Sequence, residues 1–518
     1  MKKPLKITAW VLAFIISLTV LFYAEENWRG ARAWKKTTAE LQAKGYPLTI
    51  AETIPPPVAD DDNIAAAPIF AELFTASGDI NPEARLIKVA RLFGTAQKGR
   101  FPYIQTGSPG DLRLHVDPPD HTLTVNQAAR DLLAQLEPEW QPLLAEAHAA
   151  LQRPQCRWPL AYGRGFDLPL PHLSPCVELA KVLHLRARCY LEIGESEKAA
   201  DDLVDIFKLA QAIECNPTLV DFLVAITQRG YALPVIWSGI VNQQWRDEDL
   251  ARLSQAVAAH NGFEELKQGY IKEQTFMMAI DADVVEWSSA YIKSFNEPSR
   301  RQKWDALLIR AIPLGVILSD KSFYVRWMQV NLDAINVEEQ TVSVPLCEAN
   351  DATLAQLGGW LNGAFHVFTK LLAPGAWTST IIKKLAQMEV MCHQALLACA
   401  LEQYRLRHGK LPLTLNELVP DYLEQIPNQV TVSEPMHYRR VSDQDYLLYS
   451  IGWNLQDDSG TISDDTRADK LDWVWASKPE LYQRRKVTEE YNQPSKKGSV
   501  VTGLLPQPTF LQQKYLRK

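Results

Sequence analysis

The sequence predicts a mainly α-helical protein with an N-terminal transmembrane helix, a large helical domain and a small C-terminal α+β unit with a short antiparallel sheet. An apolar run opens the chain, apolar residues recur at helical spacing through its centre, and the spacing changes to period two near its end. We expect five units. Residues 1–24 hold cytoplasmic lysines and the anchor, and residues 25–175 form helices with long Pro/Gly-rich loops. Residues 176–375 form an all-α domain, 376–477 form an α+β unit and 478–518 form a basic tail.

The composition is that of a folded protein. Of the 518 residues, 47% are hydrophobic and 22% charged, and the formal net charge is −7. These values exclude a disordered or fibrous chain, and the length suggests about three folded units. Seven cysteines without a Cys-x-x-Cys pair exclude a disulfide-built scaffold, a zinc ribbon and a thioredoxin-like motif. The mild acidity argues against nucleic acid as a partner.

The first predicted element is a membrane anchor. Ile7 to Ala24 are 18 uncharged, mostly apolar residues, enough to cross about 27 Å of hydrocarbon as a helix. A cleaved signal peptide is the alternative, but its apolar core runs only about 7–15 residues, and Phe22 is bulky for the third position before a cleavage after Ala24. We therefore expect an uncleaved, single-pass anchor, with the membrane as a partner.

The orientation of this anchor cannot be set by charge alone. Basic residues flank the span on both sides, namely Lys2, Lys3 and Lys6 before it and Arg29, Arg32, Lys35 and Lys36 after it. Long domains cross a membrane largely regardless of their charge. We expect a cytoplasmic N-terminus with the bulk of the chain on the periplasmic side.

The centre of the chain carries the strongest helical pattern. Small and large residues fit one tetratricopeptide-like helix pair with a glycine turn: Leu183, Ala187, Tyr190, Gly194, Ala199 and Leu203. Such solenoids need about three repeats to bury their faces. We expect a hairpin packed inside a larger all-α domain, and a peptide-binding repeat surface is the alternative. Protein partners are expected to bind through this domain.

The C-terminal unit combines a long helix with strands. The long helix is predicted from Thr378 to Arg407 and ends at Gly409. Thr414 and Glu417 fit a capping box that opens a short helix to about Leu423. Three strands are predicted, at Met436 to Val441, Tyr446 to Ile451 and Asp472 to Ala476.

Several motifs of this unit follow one another in a characteristic order: Tyr404-Arg-Leu-Arg-His-Gly-Lys-Leu-Pro412, Tyr422-Leu423, Ile426-Pro427 and Tyr446-Leu-Leu-Tyr-Ser-Ile-Gly452. With this order, Ala386 to about Ser477 resembles the globular domain of the major pseudopilins of type II secretion. A pseudopilin begins with a prepilin-peptidase site, which residues 1–14 lack, so a pilin subunit is not expected. The full layout also resembles large uncharacterised membrane-anchored proteins of the planctomycete and verrucomicrobial type, which implies a location and no activity.

The resemblance to pseudopilins implies a calcium site in the acidic loop after residue 456. Its ligands would be the carboxylates of Asp457, Asp458, Asp464 and Asp465, because calcium takes about six to eight oxygen ligands. The loop does not have the spacing of an EF-hand. A solvated acidic loop without a metal ion is the alternative.

Two further predictions concern the cysteines and the tail. Cys156 and Cys176 bracket a Pro/Gly-rich stretch, and a disulfide between them would close a loop of about 20 residues and contribute about 3 kcal/mol. Buried thiols are the alternative. The tail 478–518 holds nine basic and three acidic residues. We expect it to be disordered, either solubilising the protein or docking on an anionic surface.

The sequence contains no recognisable catalytic signature. Neither a Gly-x-Ser-x-Gly elbow, nor a phosphate-binding glycine loop, nor a His-x-x-x-His pair occurs. We therefore predict a structural or interaction protein of the cell envelope. An envelope hydrolase or glycan-acting enzyme with its site in 101–175 is the alternative. A carbohydrate-binding module is a further one, since tryptophan is nearly as frequent as tyrosine and phenylalanine, 15 against 17 and 16.

Overall fold

The computed structural model describes most of the chain, with several gaps. The described residues are 2–90, 125–216, 218–279, 299–300, 303–304, 307, 310–356, 379–463, 471–478, 481 and 483–485.

A single helix opens the fold. Helix α1 (Lys2–Ala43) spans 42 residues and joins the apolar run to the first amphipathic stretch without a break. It ends where Gly45 adopts a φ of +76°, a left-handed conformation that costs glycine little, and the Tyr46 N–H closes the turn on the Leu41 carbonyl at 3.0 Å. The sequence predicts this end.

The rest of the described chain is mainly helical. After the short α2 (Pro68–Ala71), the helices are α3 (Val125–Ala150), α4 (Leu173–Glu192), α5 (Ser196–Glu214), α6 (Leu219–Val241), α7 (Asp247–Ala258), α8 (Gly262–Ala279), α9 (Leu314–Asp333), α10 (Val344–Gln356) and α11 (Thr380–His408). Between α9 and α10, the two-residue strands β1 (Ile335–Asn336) and β2 (Thr341–Val342) pair antiparallel.

Helices α4 and α5 form the hairpin that the sequence predicts. Gly194 lies in the turn with a φ of +83°, and Leu183, Ala187, Ala199 and Leu203 are buried between the two helices and their neighbours. Helix α6 packs against both. The pair is thus part of the helical body, in agreement with the expectation of a packed hairpin.

Helix α6 is the centre of that body. Among the described helices, α1 and α6 are long and apolar enough to cross a membrane, but 56% of α6 is buried by protein. Asp221 and Arg229 on α6 have no exposed surface and are bonded to neighbouring residues. Helix α6 is therefore a core helix.

One continuous hydrophobic core runs from Ile64 to Trp475. Trp158 is among its largest fully buried side chains, and its indole Nε1 donates to the Ala212 carbonyl at 2.7 Å. Burial of a large apolar side chain stabilises a fold by about 1.5–3 kcal/mol. The C-terminal unit shares this core, since α11 packs against α6, α7 and α8 as well as against its own sheet.

The C-terminal sheet follows the predicted pattern. Helix α11 ends at Gly409, whose φ is +74°. Strands β3 (His437–Arg440), β4 (Tyr446–Ser450) and β6 (Trp473–Ala476) form an antiparallel sheet in the order β3-β4-β6, with Leu448 opposite Trp475. Both of these side chains are buried, because this face of the sheet packs on the body.

The short helix after α11 is smaller than predicted. The capping box of Thr414 and Glu417 is present, but it opens only a 3-10 helix, Leu415–Leu418. Pro420 explains the early end, because it has no N–H to continue the helix and it disfavours helical backbone at Val419. The prediction of a helix to Leu423 is therefore wrong.

The end of the C-terminal unit also differs from the prediction. Strand β5 (Thr461–Ser463) pairs in parallel with β7 (Gln483–Arg485), and Lys478 forms an ion pair with Asp445 at 2.9 Å. Strand β7 satisfies backbone groups that an edge strand leaves open. Lys478 and Gln483–Arg485 of the predicted tail thus have defined partners in the fold, and residues 486–518 lie outside the described chain.

Candidate functional site

The surface of α1 changes character at Tyr23. Between Ile7 and Phe22, every side chain whose exposure is described is exposed, as shown by Trp10 at 78% and Phe14 at 64%. From Tyr23 onward, one stripe of the helix is buried or half-buried: Tyr23, Glu26, Gly30, Ala33, Trp34, Thr37 and Leu41. The helix therefore has an apolar half whose described side chains are exposed and a half that packs on the body.

The packed half of α1 lies against α9 in close backbone contact. The Tyr23 hydroxyl donates to the Ala311 carbonyl, and the Gly315 N–H donates to Asn27 Oδ1 at 2.8 Å. A Cβ atom on Gly30 would lie 1.9 Å from the Gly315 carbonyl oxygen. Only glycines allow the two backbones to approach this closely.

Side-chain contacts further along show that α1 and α9 run in the same direction. Lys321 lies over the Trp34 ring at 4.9 Å, and Arg326 pairs with Glu40 at 3.8 Å. The contacts advance along both helices together, so the N-terminal end of α9 lies at the level of Tyr23, where the exposed apolar surface ends.

A cluster of charged side chains lies inside the body, where α5, α6, α8 and α11 meet. Arg229 Nη1 donates to Glu214 Oε1 at 2.6 Å, and Arg229 Nη2 lies 3.6 Å from Glu265 Oε2. His260 lies between two carboxylates, with Nδ1 3.2 Å from Glu265 and Nε2 2.8 Å from Glu389. Arg229 is fully buried. These five residues form what we call the buried ionic cluster.

A glycine and a thiol complete the packing around this cluster. A Cβ atom on Gly262 would lie 2.2 Å from Glu389 Oε1, so a larger residue at the start of α8 would require the Glu389 carboxylate to shift. Cys392, one turn after Glu389 on α11, is buried and contacts His260. The cluster is thus enclosed by helix backbone and apolar side chains.

Burial and charge oppose each other within the cluster. Burial raises the pKa of Glu214 to about 8 although Arg229 acts in the opposite direction. Burial would also raise the pKa of Glu265, but the hydrogen bond from His260 and the charge of Arg229 lower it to about 2. Burial and Arg229 lower the pKa of His260, yet Glu389, Cys392 and Glu265 outweigh them and raise it well above its ordinary value. Within the cluster, the carboxyl groups of Glu214, Glu265 and Glu389 thus face two cationic side chains, those of Arg229 and His260.

The cluster fits an ionic network better than a metal centre. Ligand atoms of Glu214, His260 and Glu265 lie within 4.8 Å of one another, and one imidazole with two carboxylates is a donor set suited to zinc. However, Arg229 already contacts both carboxylates, and both His260 nitrogens face carboxylates. A metal ion there would lie beside the positive charge of Arg229. The ionic contacts of the cluster instead hold four helices together.

A second buried polar chain lies near the start of α6. Lys272 Nζ donates to Asn216 Oδ1 at 2.6 Å, and Asn216 Nδ2 donates to Asp221 Oδ2 at 3.3 Å. His172 Nε2 lies 3.6 Å from Asp221 Oδ1, and its ring stacks on Trp158 with 4.4 Å between centroids. Burial lowers the pKa of Lys272 to about 8, against the opposing effect of Asp221.

A cavity of about 570 Å³ lies on the outer side of Lys272, between the end of α1, residues 52–54 and α8. Its lining includes Lys44, Tyr46, Glu52, Lys267 and Lys272. Glu52 is bonded to the Thr49 hydroxyl and the Leu48 N–H, and the Lys272 amine is bonded to Asn216. Among the described residues, the hydrogen bonds of this lining do not hold a nucleophile against a general base, the arrangement that nucleophilic catalysis requires.

The predicted calcium loop is described only in part. Asp457 accepts a hydrogen bond from the Ser459 N–H at 2.7 Å, and Asp458 accepts from Asn454 Nδ2 at 2.9 Å. Asp464 and Asp465 lie outside the described residues. Asp472 is a further carboxylate at this loop: it accepts a hydrogen bond from the Gly460 N–H at 2.8 Å, and burial and the charges of Asp458 and Asp457 raise its pKa to about 6.

Calcium binding by this loop stays a prediction with a direct test. If the loop holds the ion, millimolar calcium raises the melting temperature relative to EDTA, because a ligand that binds only the folded state stabilises it. The substitution Asp458→Asn should remove the difference, whereas Asp443→Asn, in the exposed turn between β3 and β4, should preserve it. Identical melting curves of the unmodified protein in calcium and in EDTA would contradict the prediction.

The structure does not contain the predicted disulfide. Cys156 and Cys176 are free thiols, and Cys156 instead contacts the thiol of Cys215. Cys176 is fully buried in α4, and burial raises the pKa of its thiol above the ordinary value. Of the region 101–175 proposed for an enzyme site, 101–124 lies outside the described residues.

The tryptophans expected to mark a carbohydrate surface are largely in the core. Trp475 is buried, and Trp453 is only 9% exposed. Trp473 is half-buried and packs against the same core. These three rings therefore stabilise the C-terminal unit, as aromatic side chains inside a protein do.

Sequence analysis missed the buried ionic cluster. Its members are distant in sequence, from Glu214 to Glu389, and none belongs to a recognised motif. One signal was present, because Arg229 interrupts the otherwise apolar helix Leu219–Val241. A charge on such a helix requires a buried partner, but the sequence does not show which acid supplies it.

Comparison with protein-family models, curated proteins and solved structures finds no match to this chain. The resemblance of its C-terminal unit to pseudopilins therefore remains a prediction from sequence motifs.

Proposed function

We propose that this chain is a single-pass, membrane-anchored structural or interaction protein of the cell envelope. The observation that carries the proposal is the apolar half of α1, whose large apolar side chains from Trp10 to Leu21 are each more than half exposed. An isolated apolar surface of this size is unfavourable in water and favourable in lipid. Its length as a helix matches the hydrocarbon thickness of a bilayer.

The contact between α1 and α9 gives the anchor a mechanical role. Because Gly30 and Gly315 meet in backbone contact and α1 continues unbroken from the apolar half, the body is held at a fixed distance from the membrane. A flexible linker would allow the body to swing freely. The geometry therefore supports a scaffold that presents its helical body and C-terminal unit at the membrane surface. The periplasmic side is proposed from the sequence, since long domains cross a membrane largely regardless of their charge.

The interior of the body supports a non-catalytic role. The buried ionic cluster and the chain from Lys272 to His172 consist of polar groups that face one another. Such networks hold helices in one arrangement. Lys272 also lines the cavity, where its amine is bonded to Asn216.

Membrane extraction tests the anchor. The unmodified protein should stay in the membrane fraction after alkaline carbonate treatment and be released by detergent. The double variant Leu12→Asp/Ile16→Asp should move to the soluble fraction, because two aspartates near the bilayer centre cost about 5–7 kcal/mol. The matched control is Leu406→Asp/Leu413→Asp, which changes two exposed leucines of the C-terminal unit and should leave the protein in the membrane.

A protease test addresses the orientation. With a C-terminal epitope, the proposal expects digestion of the body by protease added to spheroplasts, and protection only when the outer membrane is intact. Protection in spheroplasts would place the body in the cytoplasm. Release of the unmodified protein by carbonate would overturn the anchor itself.

A further inference from the structure

We infer that Cys156 and Cys215 are a redox-active thiol pair, which closes to a disulfide by exchange with an oxidised disulfide compound. Its closure in the cell rests on the proposed periplasmic location of the body, since disulfides form and persist in oxidising compartments. Three observations carry the inference, namely the contact between the two thiols, the hydrogen bonds that hold them there and their exposure to solvent.

The fold brings the two thiols together from distant parts of the chain. Cys156 lies in the segment between α3 and α4, and Cys215 directly follows α5. The side chains of Cys156 and Cys215 are in hydrogen-bond contact. Two cysteines can be bridged only where the backbone already places them side by side. This pair therefore needs no large movement of the fold to form a bond.

Hydrogen bonds hold the backbone around both thiols. The Cys215 thiol donates to the Ala212 carbonyl at 2.9 Å, and the Trp158 indole N–H donates to the same carbonyl at 2.7 Å. A backbone hydrogen bond also joins Trp158 to the Cys215 side chain. On the other side of Cys156, the Gln155 carbonyl accepts a backbone N–H from the segment before α2 at 2.8 Å. The two thiols are therefore held against each other from both directions.

Exposure to solvent separates this pair from the other cysteines. Cys156 and Cys215 are half-buried, whereas the other five cysteines of the chain are buried. Cys176 is the other possible partner, since it lies close enough to Cys156 for the charges of the two groups to interact. However, Cys176 has no exposed surface. A small disulfide compound therefore reaches Cys156 and Cys215 and does not reach Cys176.

Thiol–disulfide exchange closes the bond in two steps. One thiolate of the pair attacks a sulfur of the oxidant, which forms a mixed disulfide and releases the first oxidant thiol. The second thiolate then attacks the protein sulfur of the mixed disulfide, and the second oxidant thiol leaves. The pair gives up two electrons and two protons, which the two released thiols carry away. The new bond would close a loop of about 60 residues around α4 and α5 and restrict the unfolded chain.

Disulfide mapping of the full chain tests the inference. The detergent-solubilised protein is reduced, freed of reductant and incubated with oxidised glutathione. Free thiols are then blocked with N-ethylmaleimide in denaturant, and the digested protein is analysed by mass spectrometry. Reduced protein should carry the label on all seven cysteines, and oxidised protein on two fewer, with one peptide pair that joins Cys156 to Cys215. Cys215→Ala should remove this peptide pair, and the matched control Cys176→Ala should keep it.

Three outcomes in the unmodified protein would overturn the inference. These are label on both Cys156 and Cys215 after oxidation, glutathione retained on either thiol, and a peptide pair that joins Cys156 to Cys176. The same mapping on cells blocked with N-ethylmaleimide before lysis separates the inference from the proposed location. A pair that closes in the purified protein but is free in cells would support the inference and contradict the periplasmic side.

Discussion

Replacing Arg229 with methionine is expected to lower the free energy of unfolding by about 3–5 kcal/mol. Arg229 is fully buried and bonds to Glu214 while facing Glu265. Its loss would leave the buried Glu214 carboxyl group and the partly exposed Glu265 carboxylate, 22% exposed, without this cation. Methionine keeps much of the volume of the arginine stem, so the expected loss comes from charge and not from a cavity.

Urea unfolding of the detergent-solubilised protein measures this change, and two variants make the result specific. Arg252→Met removes an arginine paired with Asp201 at the surface, where the two side chains are 40% and 42% exposed, and it should change the stability by less than about 1 kcal/mol. Adding Glu214→Gln to Arg229→Met should restore part of the loss, because a buried acid that has lost its cation is replaced by an amide that cannot ionise. Equal effects of the Arg229 and Arg252 substitutions would show that the cluster does not stabilise the body.

Replacing Glu273 with glutamine is expected to stabilise the protein at alkaline pH. Glu273 on α8 is 5% exposed, and burial raises its pKa from 4.5 to about 7. The folded-state pKa lies above the unfolded one. The contribution of the protonated acid to the free energy of unfolding is therefore complete below pH 4.5 and is lost as the pH rises through 7. Glutamine resembles the protonated acid at every pH.

The advantage of Glu273→Gln should therefore be larger at pH 8 than at pH 5, by about 2–3 kcal/mol. Urea titrations of both proteins at the two pH values measure the difference, and other titrating groups cancel because both proteins contain them. Glu248→Gln is the control, since Glu248 is exposed on α7 and its substitution should have the same small effect at both values. An advantage that does not change with pH would mean that Glu273 is not titrating in this range.

Local patterns predicted the elements whose ends are set by nearby residues. Gly45, Gly194 and Gly409 mark chain reversals that need a positive φ, and each has one in the structure. The strand pattern of Tyr446 to Ile451 was also sufficient, because alternation and β-branched or aromatic residues predict a strand without knowledge of its partners. The helix predicted after Thr414 is too long, because the capping box indicates where a helix begins and Pro420 decides where it ends.

Contacts between distant residues were beyond the reach of the sequence. Strand β7 forms because β5 offers it a partner across the acidic loop, and nothing in Gln483–Arg485 itself indicates a strand. On spacing alone, Cys156 could be paired with several cysteines. The fold places it beside Cys215, and every cysteine is a free thiol.

The sequence by itself determined the helical class, the apolar N-terminal helix and the approximate limits of the C-terminal unit, because periodicity, caps and turns are properties of neighbouring residues. Only the tertiary structure decided where the exposed half of α1 ends and which acids neutralise Arg229. Each of these depends on which helix faces which, and that choice follows from the packing of the whole core, to which residues from Ile64 to Trp475 contribute.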